Sequence, residues 1–77
     1  MKKVLITGGS GFIGSHLIPK LLQMGVEINI LDNFCTGKIE NLIPYTNDIN
    51  IKVGDINNYD DILESMIGCD YVFHLAY

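Results

Sequence analysis

Glycines at fixed spacing, followed further along by one acid, are the residues of this sequence best suited to bind an anion. The run Gly8–Gly14 reads GGSGFIG, and its glycines can be framed as Gly8, Gly11 and Gly14 or as Gly9, Gly11 and Gly14. In a turn between a strand and a helix, such glycines make the tight bend, let the backbone approach a phosphate and let the helix pack on the strand. A short apolar stretch precedes the run and an amphipathic one follows it, so the sequence predicts a pyrophosphate-binding turn.

Asp32 supplies the acid. It closes the next apolar run, 18 residues beyond Gly14. In dinucleotide-binding folds an acid about 20 residues past the glycine turn accepts hydrogen bonds from the adenosine ribose and repels a 2′-phosphate. The sequence contains no arginine that could reverse this preference. The spacing therefore favours NAD over NADP as the cofactor.

Alternating strand and helix patterns must position these residues. Four short apolar runs bounded by turn residues predict buried strands, and two amphipathic segments between them predict helices. Such alternation forms a parallel sheet through right-handed crossovers. We therefore predict an α/β fold, the N-terminal half of a Rossmann fold, with strand order 3-2-1-4 and the glycine turn at the switch point. The predicted strands are Val4–Thr7, Glu27–Leu31, Asn50–Val53 and Tyr71–Leu75.

Both helices are expected to cover the sheet with an apolar face. The first begins near Gly11, is kinked at Pro19 and ends at Gly25. The second begins after an asparagine cap, either Asn57 or Asn58. The predicted sheet-facing residues are Ile13, Leu17, Ile18, Leu21, Leu22 and Met24 in the first helix, and Ile62, Leu63, Met66 and Ile67 in the second.

Composition narrows the class of protein further. The 77 residues form one domain at most, and their net charge of -4 leaves no basic face for a nucleic acid. No window approaches the roughly 18 consecutive apolar residues of a membrane span, and the first apolar stretch is too short for a signal peptide. We therefore expect a cytoplasmic protein without a membrane or nucleic-acid partner. Cys35 and Cys69 lack the spacing of a zinc site, so we expect reduced thiols and no metal.

Four stretches of the sequence resemble one known family. They are residues 7–17 (TGGSGFIGSHL), 31–34 (LDNF), 54–56 (GDI) and 70–76 (DYVFHLA). In order and spacing they are similar to the N-terminal half of extended short-chain dehydrogenases/reductases, the NAD-dependent epimerase/dehydratase group that acts on nucleotide sugars. The LDNF stretch and the Thr-Gly pair after it look most like UDP-glucose 4-epimerases and UDP-glucuronate decarboxylases, which the sequence does not separate.

The resemblance implies a role for thirteen residues in binding NAD. One set lines the pyrophosphate turn, a second neighbours the adenosine ribose, a third meets the adenine, and a fourth lies near the nicotinamide-side ribose and phosphate. In that order the sets are Gly8, Gly11, Phe12, Ile13 and Gly14; Asp32, Asn33, Cys35 and Thr36; Asp55 and Ile56; and Leu75 and Ala76. Tyr77 departs from the small residue that often follows in the family.

Catalytic residues are not assigned. The family uses a Tyr-x-x-x-Lys pair with a serine or threonine, and this sequence contains no such pair. We interpret His16 and His74 as structural, since neither has a nucleophile or an orienting acid at a readable spacing.

Residues 1–77 are therefore expected to be a partial NAD(P)-binding domain, inactive alone. The whole protein is expected to be a homodimeric enzyme that takes a nucleotide-sugar substrate. The alternative is a non-catalytic dinucleotide-binding or redox-sensing module of the same fold. The sequence does not determine the sugar or the reaction outcome.

Overall fold

A computed structural model of the chain describes residues 2–34 and 37–75. Within these residues strands and helices alternate as predicted. The strands are β1 (Lys3–Thr7), β2 (Glu27–Asp32), β3 (Asn50–Val53) and β4 (Tyr71–His74); the helices are α1 (Phe12–Gln23) and α2 (Tyr59–Met66); two short 3₁₀ turns, Ile39–Asn41 and Ile43–Tyr45, lie between β2 and β3.

The strands form a parallel sheet in the order β3-β2-β1-β4, which confirms the predicted fold class and topology. Thr7 at the end of β1 pairs with Leu31 on one side and with His74 on the other. Asp32 in turn pairs with Val53 at the end of β3. All four carboxyl ends therefore meet at one edge of the sheet, and the loops that follow them share that edge.

The core lies on the face of β1 and β2 that α1 covers. Alternate residues of both strands pack there, because successive side chains of a strand point to opposite faces. Leu5 and Leu31 are buried on the other face of the sheet. The buried core cluster consists of Val4, Ile6, Ile18, Leu21, Ile28, Ile30, Leu42 and Ile49.

Helix α1 ends as expected. Gly25 adopts a positive φ of 75°, and its amide donates to Leu22 O while the Val26 amide donates to Leu21 O. This pattern is a Schellman motif, in which a glycine without a Cβ closes the helix at no steric cost. The helix is continuous through Pro19. The kink at this residue stays a prediction.

The apolar face predicted for α1 is partly wrong. Ile18 and Leu21 are buried, but Ile13 is 66% exposed and Met24 is 74% exposed. Ile13 belongs to the first turn, which faces the sheet edge instead of the core. Met24 is the C-cap residue, with a ψ of 0°, so it no longer follows the helical periodicity.

Helix α2 confirms its cap and corrects its buried face. Asn58 is the N-cap, and its side-chain oxygen accepts from the amides of Asp60 and Asp61 at 3.0 and 3.2 Å. The buried residue of the helix is Ser65. Three residues predicted to face the sheet are instead exposed, because no further layer covers them within the described residues. They are Leu63, Met66 and Ile67. Neither helix is long and apolar enough to cross a membrane within the described part of the chain.

Candidate cofactor site

A crevice of about 420 Å³ opens at the carboxyl edge of the sheet. Ten of the thirteen predicted cofactor residues line it, although they come from four separate loops or turns. These ten are Gly8, Gly11, Phe12, Ile13, Gly14, Asp32, Asn33, Asp55, Ile56 and Leu75. Cys35, Thr36 and Ala76 lie outside the described residues. Gly37, Gly54 and Asn57 also line the crevice and were not among the predicted cofactor residues.

The structure decides which glycines form the fingerprint. Gly8 has a positive φ of 75°, which marks it as the glycine of the tight turn. A Cβ on Gly14 would lie 2.7 Å from Gly9 Cα, so this position lets α1 pack closely on the turn. A Cβ on Gly9 would instead meet Ile30 Cδ1 at 2.6 Å, away from the crevice. The Gly8, Gly11 and Gly14 frame is therefore the one that surrounds the crevice.

The first turn of α1 carries the groups that would meet an anion. Gly11 is the N-cap and has no side chain, and no side chain of the described residues caps the helix. The amides of the first helical turn have no intrahelical acceptor, and the helix dipole adds partial positive charge at this end. The amides of Phe12, Ile13 and Gly14 could therefore donate hydrogen bonds to an anion next to the crevice.

Asp32 is buried at the end of β2 and is only 7% exposed. Its Oδ2 accepts hydrogen bonds from both the amide and the hydroxyl of Ser10, the amide at 3.0 Å. Its Oδ1 accepts from the Phe34 amide at 2.8 Å. Phe34 has a φ of 58°, so the chain bends sharply just after the acid. Among the described residues, three donors thus hold the carboxylate at the wall of the crevice, and only one of them bonds to Oδ1, which can accept more than one hydrogen bond.

The loop after β3 brings Asp55 and Ile56 to the opposite wall. The Asp55 carboxylate accepts from the Asn57 amide at 2.8 Å, and the Asp55 amide donates to Asp61 Oδ2 at 3.0 Å. Gly54 makes this possible, because a Cβ there would lie 2.6 Å from the same Asp61 oxygen. Sequence reasoning missed this contact of Asp61. Because Asp61 lies in the first turn of α2, soon after the Gly-Asp loop, its sequence position could have indicated that it accepts a hydrogen bond from this loop.

Both histidines contact neighbouring residues of the fold. His74 Nδ1 lies 2.7 Å from Thr7 Oγ1 across the β1–β4 pair. His16 Nδ1 lies 2.7 Å from Phe12 O, and the two rings stack with centroids 4.3 Å apart.

A parallel sheet in this order, with a glycine turn, an uncapped helix start and a buried acid at one edge, defines a dinucleotide-binding α/β fold of the Rossmann type. Comparison with known proteins identifies the family. The model of the NAD dependent epimerase/dehydratase family matches residues 4–77. The chain therefore belongs to this family, as its sequence motifs predicted.

Individual relatives are named for different substrates. UDP-glucuronic acid decarboxylase 1 of Danio rerio is 40% identical over 97% of this chain. A 3-beta-hydroxysteroid dehydrogenase of Mycolicibacterium neoaurum is 36% identical over 96% of it. The crystal structure of Thermus thermophilus UDP-glucose 4-epimerase in complex with NAD superimposes with a TM-score of 0.81 at 37% identity, over 96% of this chain and 24% of that one. The chain spans 17% of the decarboxylase and 19% of the dehydrogenase.

Proposed function

We propose that this chain binds NAD across the crevice and forms the cofactor-binding part of a nucleotide-sugar epimerase, dehydratase or decarboxylase. One observation carries the proposal. The uncapped first turn of α1 and the buried Asp32 carboxylate face the same crevice, so a diphosphate and an unphosphorylated ribose can be bound side by side.

Each part of the cofactor is assigned to one wall of the crevice. The pyrophosphate is proposed to bind at the amides of Phe12 and Ile13, next to Gly11. The adenosine ribose is proposed to donate to Asp32 Oδ1, which accepts one hydrogen bond from the described residues. The adenine is proposed to lie against Asp55 and Ile56. Asn33, Cys35 and Thr36 on the ribose side, and Leu75 and Ala76 on the nicotinamide side, complete the proposed site.

The residues of this chain bind and orient the cofactor in this proposal. Bound NAD would supply a hydride acceptor and donor for a carbon of the sugar. No proton transfer is assigned to a residue of this sequence, which contains no Tyr-x-x-x-Lys pair.

A nucleotide sugar is the proposed substrate of the whole protein because the decarboxylase and the epimerase are named for UDP-sugars. We further propose that the whole protein is a cytoplasmic homodimer. Light scattering after gel filtration tests the dimer. The reported relatives are enzymes by name, so the comparisons do not support a non-catalytic or redox-sensing module.

Calorimetric titration of the cofactor-free whole protein with NAD and with NADP tests the proposal. We expect NAD to bind at least about tenfold more tightly than NADP, and Asp32→Ala to remove most of that difference. Asp48→Ala is the matched control, since Asp48 is an exposed acid outside the crevice. Equal affinities for the two cofactors in the unmutated protein would overturn the proposed cofactor site.

A further inference from the structure

Ser10 is completely buried inside the glycine turn, at 0% exposure. It occupies a position that the glycine fingerprint leaves open to any residue. Its side-chain hydroxyl and its backbone amide both donate to one oxygen, Asp32 Oδ2. A single residue of the phosphate-binding turn therefore supplies two of the three donors that hold the proposed ribose-binding acid.

The carbonyl of Ser10 connects the same residue to a third segment, the start of the 3₁₀ turns after β2. It accepts from the Asn41 side-chain amide at 2.7 Å and from the Lys38 backbone amide at 3.3 Å. Gly37 packs directly on Ser10, since a Cβ on Gly37 would overlap the serine hydroxyl and lie 2.9 Å from Gly11 N. Ser10 is thus held by contacts other than those to Asp32 and cannot shift without breaking them.

This arrangement fixes the plane of the Asp32 carboxylate. Rotation about the Cβ–Cγ bond would break the Ser10 hydrogen bonds to Oδ2 and the Phe34 hydrogen bond to Oδ1 together. All three hydrogen bonds are made to a carboxylate, and a hydrogen bond to an ionised group is about twice as strong as one between neutral groups. The serine hydroxyl is the one of these donors that a side-chain substitution removes. Without the hydroxyl, one backbone amide alone would hold Oδ2.

We propose that Ser10 is a positioning residue that orients the Asp32 carboxylate and thereby sets the preference for a ribose without a 2′-phosphate. This inference rests on the proposed function of the crevice as an NAD site. A fixed carboxylate presents Oδ1 to the ribose hydroxyls and keeps its negative charge close to the 2′ position. A carboxylate that can rotate binds the hydroxyls less well and turns away from a phosphate more easily.

Calorimetric titration of Ser10→Ala with NAD and NADP tests the inference in the whole protein. We expect the ratio of NAD to NADP affinity to fall about tenfold, the magnitude of one hydrogen bond to a charged group. The same substitution in an Asp32→Ala background is expected to leave the ratio unchanged, because no carboxylate is then present. Ser15→Ala is the matched control, since the Ser15 hydroxyl donates to Phe12 O and the residue does not line the crevice.

Two results would overturn the inference: an unchanged ratio in Ser10→Ala, with or without an equal loss for both cofactors, or the same fall in the Asp32→Ala background. Thermal unfolding of each variant shows whether it is folded. If Ser10→Ala does not fold, Asn41→Ala replaces it, because this substitution removes a hydrogen bond that holds Ser10. A fall in the ratio of NAD to NADP affinity in Asn41→Ala would then support the inference, and an unchanged ratio would overturn it. Failure of the unmutated protein to prefer NAD would instead overturn the proposed function.

Discussion

The two halves of this chain differ sharply in how much of their apolar surface is covered. Around the glycine turn, β1, β2 and α1 bury Ile6, Ile18 and Ile30 completely. At the other side of the sheet every residue of β4 is exposed, and Leu63 of α2 is 46% exposed. The proposed phosphate and ribose contacts therefore belong to the well-packed half of the chain, where β1 and β2 each pair with a strand on both sides.

The cause of the difference is the position of each strand in the sheet. β1 is hydrogen-bonded to β2 on one side and to β4 on the other. Helix α1 covers one face of β1 and β2. β4 has a partner strand on one edge only within the described residues. The substitutions below test whether this contrast in packing is also a contrast in stability and in cofactor binding.

The largest effect is expected when one buried and one exposed aliphatic side chain are truncated. Ile18→Ala should lower the free energy of unfolding by about 2–5 kcal/mol, because a buried branched side chain leaves a cavity in the core. Leu63→Ala should cost less than about 1 kcal/mol, because the leucine is already half in solvent. Urea unfolding measures both. Similar losses for the two variants would show that the contrast in burial has no energetic meaning.

A pair of glycine substitutions separates packing from ligand contact. Gly14→Ala should destabilise the fold by about 3 kcal/mol, because its Cβ would meet immobile backbone atoms of Gly8 and Gly9. Gly11→Ala should cost no more than about 1 kcal/mol, because among the described residues its Cβ would meet only Gly8 O, at 3.5 Å. Gly11→Ala should nevertheless weaken NAD binding by about tenfold, because the added methyl group lies beside the proposed phosphate position. Unaltered NAD affinity in Gly11→Ala would contradict this assignment.

A smaller effect is expected at Asn41, which ties the 3₁₀ turns to the glycine turn. Asn41→Ala removes the hydrogen bond to Ser10 O and should cost about 1 kcal/mol of stability. It should also lower the NAD affinity by a smaller factor than Ser10→Ala does. The control is Glu40→Ala, a neighbouring exposed residue that does not line the crevice. Equal effects of the two substitutions on NAD binding would show that the hydrogen bond from Asn41 to Ser10 does not support cofactor binding.

The smallest effect concerns Cys69, which belongs to the less-covered half of the chain. Its sulfur accepts a hydrogen bond from the side-chain amide of Asn29 in β2. Burial raises the pKa of the Cys69 thiol above its ordinary value of 9.0, while Lys3 and Asn29 act in the opposite direction. A raised folded-state pKa contributes stability below the unfolded value and loses it as pH rises through the folded value. Alkylation of Cys69, followed by peptide mass spectrometry, should therefore need a higher pH in the folded chain than in urea. Coincident pH profiles would show that water reaches this thiol freely.

The fold was predictable because its signals are local. Apolar runs bounded by turn residues marked the strands, Gly25 and Asn58 marked helix ends, and the alternation of elements gave the strand order. The crevice was predictable from the predicted sheet, because the loops that follow parallel strands all lie at the edge where the carboxyl ends of the strands meet.

The exposure of Met24 and Leu63 was not predictable, because it depends on where the helix ends and on which layers cover it. The hydrogen bonds of Ser10 to Asp32 and Asn41 were missed because they join segments that are distant in the sequence. The Asp61 contact spans only six residues and depends on the conformation of the loop after β3. Ser10 lies between two fingerprint glycines, at a position where the fingerprint specifies no residue type, so the motif did not indicate a role for it.

The most direct test of the proposed site is an NAD titration of the ¹⁵N-labelled whole protein, followed through its assigned amide resonances. If the pyrophosphate binds at the start of α1, the resonances of Phe12, Ile13 and Gly14 should shift and saturate together with those of Asp55 and Leu75. Saturable NAD binding that leaves the three helix-start resonances unmoved would contradict the account.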